Sequence, residues 1–106
     1  MEAVLRYLRE NQSRFVQELC DYVRIPSVSA QPAHKADMER AAGWIKGQFE
    51  ASGLSAELHP TKGHPIVTAQ TPRTGGKKSH FLVYGHYDVQ PPEPLELWKS
   101  DRKSVV

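Results

Sequence analysis

The chain has only one cysteine, Cys20, in 106 residues. One cysteine cannot form an internal disulfide, and it is typical of proteins from a reducing compartment, so we predict a cytoplasmic protein. Long apolar runs are absent as well, since none approaches the roughly 20 residues that a membrane-spanning helix needs. The opening segment Met1–Arg6 contains an acidic and then a basic residue where a signal peptide would have an apolar core. No membrane partner is therefore expected.

An excess of charge of one sign is also missing. Lys and Arg number 14 against 12 Asp and Glu, which gives a formal net charge of +2. The basic residues are scattered, and the adjacent pairs are Lys77 with Lys78 and Arg102 with Lys103. This pattern is typical of a solvated surface and not of a nucleic-acid-binding stripe. We therefore predict a globular protein with no nucleic-acid partner.

Residues 2–25 carry apolar side chains at intervals of three, four and seven, which are typical of one face of an amphipathic helix. We predict a helix over Glu2–Ile25, ended by Pro26, which pushes the residue before it toward extended geometry. The polar residues 11–13 interrupt the stripe and either kink the helix or cap a second one. Cys20 lies on the stripe, where we expect a buried structural thiol and not a nucleophile.

A second helix is predicted over His34–Ser52, because apolar residues again share one face. These residues are Met38, Ala41, Ala42, Ile45 and Phe49. Gly53 follows as the expected terminating residue. Gly43 and Gly47 fall on the opposite side, which we expect to face solvent.

Beyond Gly53 the period of the apolar residues changes to two, and strands are predicted near residues 56–58 and 66–69, with loops over 60–65 and 71–78. Phe81–Tyr84 is apolar at every position, which is typical of a buried central strand covered by helices on both faces. Two helices followed by three strands predict an α/β layered domain. The domain is expected to be incomplete, because little chain follows this strand to supply its neighbours.

The residues after the third strand carry the candidate chemistry. His86 and Asp88 are two positions apart in extended chain, so their side chains point to the same side. Ligands of open α/β sheets bind outside the carboxyl ends of strands. The two residues alone leave three interpretations open: a hydrogen-bonded structural pair, a general acid/base pair, or a zinc site in which a carboxylate braces a ligating imidazole.

The surrounding sequence resembles a known signature. Gly85-His86-Tyr87-Asp88-Val89-Gln90-Pro91, followed by Leu95-Glu96-Leu97-Trp98, is similar to the signature of the zinc-dependent exopeptidases that include carnosinase-like dipeptidases, glutamate carboxypeptidases, aminoacylases and acetylornithine deacetylase. The sequence Tyr-Asp-Val-Gln-Pro within it most resembles that of the dipeptidase branch. Upstream, similar segments are Arg24–Ser29, Ala41–Ile45 and Gly63–Val67. The resemblance covers about residues 1–101, and the role it implies for His64 is structural.

The resemblance implies that residues 1–106 are an N-terminal fragment of a catalytic domain with a helix-covered mixed sheet. It implies that His86 binds one zinc ion of a two-zinc centre, and that Asp88 is the catalytic-site aspartate that orients it. The implied reaction is hydrolysis of a dipeptide or N-acyl amino acid by metal-activated water. In the family, the other ligands, the glutamate general base and an inserted domain for dimerisation and closure lie downstream.

From this resemblance we expect the N-terminal portion of a dipeptidase-like zinc metallopeptidase. Since a zinc site needs at least three protein ligands and His86 is the one strong candidate, we expect the chain alone to be inactive and to bind zinc weakly. A homodimer is expected only for the full-length protein. Residues 102–106 depart from the family pattern, which leaves three interpretations open: an alternative end, a premature end that truncates the chain, or an incomplete gene model. The alternative is a non-catalytic product that pairs with another chain through its unfinished sheet.

Overall fold

The computed structural model describes residues 1–72, 75–76 and 79–101. The two adjacent basic pairs, part of the predicted 71–78 loop and the divergent residues 102–106 lie outside the described residues. Five regular elements are present in the described part: helices α1 (Glu2–Glu10), α2 (Gln12–Val23) and α3 (Lys35–Ala51), and strands β1 (Ser55–His59) and β2 (Ile66–Gln70). Short 3-10 helices cover Pro32–His34 and Leu95–Leu97.

The chain divides into two compact units. Among the described residues, a terminal unit contains Met1–Ile25 together with residues 92–101, and a central unit lies within Pro26–Pro91. No helix among the described residues combines the length and the apolar composition that crossing a membrane requires.

In the terminal unit, the predicted first helix is divided at Asn11. The backbone of Asn11 leaves helical geometry, with φ −105° and ψ 7°. Its side-chain Nδ2 donates to the Tyr7 carbonyl at 2.9 Å, which satisfies an acceptor at the end of α1. Of the two predicted alternatives, the start of a second helix is therefore correct. Cys20, expected to be buried, is half-buried.

The core of the central unit lies where α3 packs on both strands. Its buried residues are Ser27, Val28, Met38, Ala41 and Ala42. The strands pair antiparallel, with Ser55 opposite Gln70 and His59 opposite Ile66. The predicted second helix and first two strands are confirmed, with boundaries that differ by one or two residues.

Gly53 ends α3 as predicted. Its φ of +81° is in the left-handed region, where a side chain is unfavourable. The Gly53 amide donates to the Glu50 carbonyl at 2.9 Å, and the Leu54 amide donates to the Phe49 carbonyl at 3.0 Å. This pair of bonds is a Schellman motif, and it turns the chain from α3 into β1.

Gly47 within α3 and Gly53 just after it provide a matched pair of stability predictions. Gly53→Ala is expected to lower the free energy of unfolding by about 1 kcal/mol, because alanine is strained at this positive φ. Gly47→Ala is expected to raise it by up to about 1 kcal/mol, because position 47 is exposed and helical. Apart from the adjacent helix backbone, no atom of the described residues lies within 4 Å of the place that the added methyl group would take. Thermal or urea unfolding followed by circular dichroism measures both variants. A shift of the same sign in the two would contradict this account.

The prediction of a buried third strand is wrong for the described structure. Phe81–Tyr84 forms no strand, and its side chains are 80–95% exposed. A central strand is buried only when strands pair at both of its edges and helices cover both faces. No described residue pairs with this segment in a sheet, and the sheet of the described residues has two strands instead of three. The α/β class is confirmed, and the uncovered apolar segment is what an incomplete domain leaves.

Candidate functional site

The signature segment is attached to the loop that follows α2. The Val89 amide donates to the Ser27 carbonyl at 2.9 Å, and Val28 and Val89 form an isolated parallel bridge. Ser27 and Val28 are both 1% exposed. The end of the signature is therefore held against one of the most rigidly packed parts of the central unit.

His86 and Asp88 lie next to each other, as their spacing predicts. His86 Nδ1 is 3.4 Å from Asp88 Oδ1. The other ring nitrogen, Nε2, is 3.1 Å from the Tyr84 hydroxyl, and the two rings meet edge to face with centroids 5.4 Å apart. The His86 side chain is 74% exposed and that of Asp88 is 34% exposed. The imidazole therefore lies at the surface, with the carboxylate partly sheltered behind it.

Asp88 has a second partner that the sequence did not reveal. The Ser29 hydroxyl donates to Asp88 Oδ2 at 2.6 Å, across 59 positions of sequence. This bond, its own backbone amide and the adjacent His86 imidazole hold the pKa of the Asp88 carboxyl below its ordinary value, against a smaller opposing effect of burial. These interactions favour the ionised form of Asp88. One carboxylate oxygen accepts the hydrogen bond from the Ser29 hydroxyl, and the other faces His86.

The segment before β2 supports the same group of residues. His64 Nε2 lies 2.9 Å from the Ser29 carbonyl and donates to it, and the Tyr87 hydroxyl donates to the Pro65 carbonyl at 2.6 Å. Sequence reasoning assigned His64 a structural role and did not connect Ser29 to the site. The available signal was that Ser29, His64 and Asp88 belong to three of the separate segments in which the chain resembles one family.

The arrangement places one imidazole, a side chain of the kind that ligates metals, beside a carboxylate. A histidine ligand commonly donates from its other ring nitrogen to a carboxylate, and the Nδ1 of His86 faces Asp88 in that way. This donor set fits one protein ligand of a metal centre. Within residues 1–72, 75–76 and 79–101, no three His, Cys, Asp or Glu side chains converge as a metal site would require.

Comparisons with known proteins identify relatives of the chain. No protein-family profile matches it, and no solved structure matches it significantly. Cysteinylglycine-S-conjugate dipeptidase of Corynebacterium striatum is 31% identical over 89% of this chain and 21% of its own length. A Cys-Gly metallodipeptidase of Schizosaccharomyces pombe is 28% identical over 95% of this chain and 23% of its own length.

A third relative is a desuccinylase. Succinyl-diaminopimelate desuccinylase 1 of Alteromonas mediterranea is 36% identical over 76% of this chain and 24% of its own length. The chain thus spans between about a fifth and a quarter of the length of these hydrolases. Given these relatives and the signature around His86 and Asp88, the chain belongs to the metallopeptidase family that includes the Cys-Gly dipeptidases and succinyl-diaminopimelate desuccinylase.

Proposed function

We propose that this chain is the N-terminal portion of a dipeptidase-like zinc metallopeptidase that hydrolyses a peptide or amide bond. The observation that carries the proposal is the His86 imidazole, exposed near the start of the signature with its Nδ1 facing an ionised Asp88. The names of two relatives, which are dipeptidases, support a dipeptide as substrate, and the desuccinylase supports an N-acyl amino acid as the alternative.

His86 supplies a metal ligand in this proposal, and Asp88 positions it. The carboxylate favours the tautomer with the proton on Nδ1, so the lone pair of Nε2 is available for zinc. Neutral imidazole is a standard ligand of zinc. When bound, the metal pair of the family supplies polarisation of the substrate carbonyl and an activated water. Asp88 remains off the metal and contributes orientation and negative charge.

The rest of the centre is proposed to lie in a longer protein. A zinc site takes at least three protein ligands, and we assign one of them, His86, whose Nδ1 faces Asp88. The further ligands, the general base and a domain for closure and dimerisation would come from the remaining three quarters of a family-length chain. We therefore propose that the 106-residue chain alone is inactive and binds zinc weakly. A reducing, cytoplasmic location is the proposal that its single cysteine supports.

One observation favours a second, non-catalytic function. Phe81–Tyr84 presents four apolar side chains that are 80–95% exposed, on a segment that pairs with no strand of the described chain. An exposed apolar strand-forming segment is a site for pairing with another chain. The 106-residue chain would then act by pairing with a separate chain that carries complementary strands.

The proposed enzyme is tested in a hybrid in which residues 1–101 replace the matching segment of the Corynebacterium striatum dipeptidase. We expect the hybrid to hydrolyse a cysteinylglycine S-conjugate, to lose turnover when a chelator removes its metal, and to regain turnover with Zn²⁺. Amine release and bound metal are measured on the same samples, with circular dichroism to verify folding. Turnover that persists in a metal-free, folded hybrid would contradict the proposal. The 106-residue chain, assayed in parallel, is expected to show no turnover.

A further inference from the structure

Asp88 is held at both of its carboxylate oxygens. Oδ2 accepts the Ser29 hydroxyl at 2.6 Å, a length typical of a strong bond to an ionised acceptor, while Oδ1 faces His86 Nδ1 at 3.4 Å. A carboxylate has a broad, soft torsion about its last bond. With Oδ2 bound to Ser29, that torsion is restricted and Oδ1 is directed toward the imidazole.

Ser29 is itself well anchored. Its carbonyl oxygen accepts a hydrogen bond from His64 Nε2, with 2.9 Å between the two atoms. The residues before it, Ser27 and Val28, are almost completely buried. The Ser29 hydroxyl therefore belongs to a packed part of the central unit. It binds Asp88, which in turn faces the largely exposed His86 side chain. Two groups contact this exposed imidazole, the Asp88 carboxylate at Nδ1 and the Tyr84 hydroxyl at Nε2, and of the two only the ionised carboxylate is restricted to accepting a hydrogen bond.

We propose that Ser29 is a positioning residue that sets the tautomer of His86 through Asp88. The hydroxyl of Ser29 orients the carboxylate, the carboxylate holds the proton on His86 Nδ1, and Nε2 is left as an acceptor. The 3.1 Å contact of Nε2 with the Tyr84 hydroxyl agrees with this tautomer, since the hydroxyl can then donate to Nε2. The consequence for metal binding rests on the function proposed above, whereas the tautomer itself does not.

A matched variant separates positioning from simple anchoring. Tyr87 lies between the two residues of the pair, and its hydroxyl donates to the Pro65 carbonyl at the same length, 2.6 Å. Tyr87→Phe removes a hydrogen bond that anchors the same segment and keeps the Ser29 hydroxyl that binds Asp88. Ser29→Ala removes the bond that orients Asp88, and Ser29→Thr keeps a hydroxyl at that position.

The test is the ¹H–¹⁵N spectrum of the histidine rings in the metal-free 106-residue chain at about pH 8.5, where neutral tautomers of imidazole are observed. Loss of its signals in His86→Ala assigns His86, and the exposed His80 provides an internal reference. We expect His86 to be mainly the Nδ1–H tautomer in the parent chain, in Ser29→Thr and in Tyr87→Phe. In Ser29→Ala we expect the mixture of tautomers shown by His80.

Three results would overturn the proposal. These are an unchanged His86 tautomer in Ser29→Ala, an equal change in Tyr87→Phe, and a change in Ser29→Ala that coincides with loss of the helical circular dichroism signal. In the hybrid enzyme, Ser29→Ala is further expected to weaken Zn²⁺ binding by about tenfold, the lower end of the range for residues that support a ligand. If His86 proves not to bind metal at all, the proposed function fails, and the tautomer measurement still decides the role of Ser29.

Discussion

Replacing His86 by alanine is expected to abolish dipeptide hydrolysis by the hybrid enzyme while leaving its folding stability nearly unchanged. The imidazole is proposed as a metal ligand, and loss of one of three or four ligands removes the metal or its geometry. The side chain is 74% exposed, and substitutions at such positions usually change stability by no more than about 0.5 kcal/mol. Zinc content, melting temperature and turnover are measured on the same preparation.

The exposed His80 provides the control for this substitution. His80→Ala removes an imidazole six positions upstream. It is expected to keep full turnover and full zinc content, since that residue has no role in the proposed centre. A correctly folded His86→Ala hybrid with the turnover of the parent would eliminate the zinc assignment of His86.

Asp88→Ala is expected to reduce zinc affinity and turnover by about ten- to a hundredfold, because carboxylates that support a ligating histidine typically contribute this much. The expected loss of zinc affinity and turnover is smaller than for His86→Ala, since the proposed ligand itself remains. Stability should also fall by about 1 kcal/mol, because the hydroxyl of Ser29 loses its acceptor. Metal titration, turnover and thermal unfolding of one set of samples give all three quantities.

Asp88→Asn is the informative companion variant. Asparagine retains an oxygen that can accept the Ser29 hydroxyl, so stability should be close to that of the parent, while the missing charge should still weaken zinc binding. If His86 and Asp88 formed only a structural pair, stability and turnover would instead decrease in parallel in the alanine variants. A drop in melting temperature for His86→Ala as large as that for Asp88→Ala would favour that structural interpretation.

The elements of the central unit that depend on local sequence were predictable. The apolar face of α3, its end at Gly53 and the period-two pattern of β1 and β2 all arise within a few neighbouring residues. Helical and strand periods extend over windows of that length, and the left-handed position after a helix favours glycine. The boundary at Asn11 was predicted as one of two alternatives, because a local polar residue can either bend a helix or start a new one.

The predicted burial of Phe81–Tyr84 failed for a non-local reason. Its apolar composition correctly indicates that the segment is suited to a sheet interior, but burial needs partners on both edges and both faces. Local sequence cannot supply those partners. In the described structure no strand lies beside this segment, so its side chains are exposed.

For the candidate site, the sequence alone identified His86 and Asp88 as the candidate residues. His86 and Asp88 are two positions apart, and the geometry of an extended chain is sufficient to bring their side chains together. Only the tertiary structure decided what supports them, because Ser29 lies 59 positions from Asp88 and His64 lies 35 positions from Ser29. Contacts at such separations form when the packed core brings the loop after α2 beside the signature. A pattern of neighbouring residues cannot predict which distant segments will meet in this way.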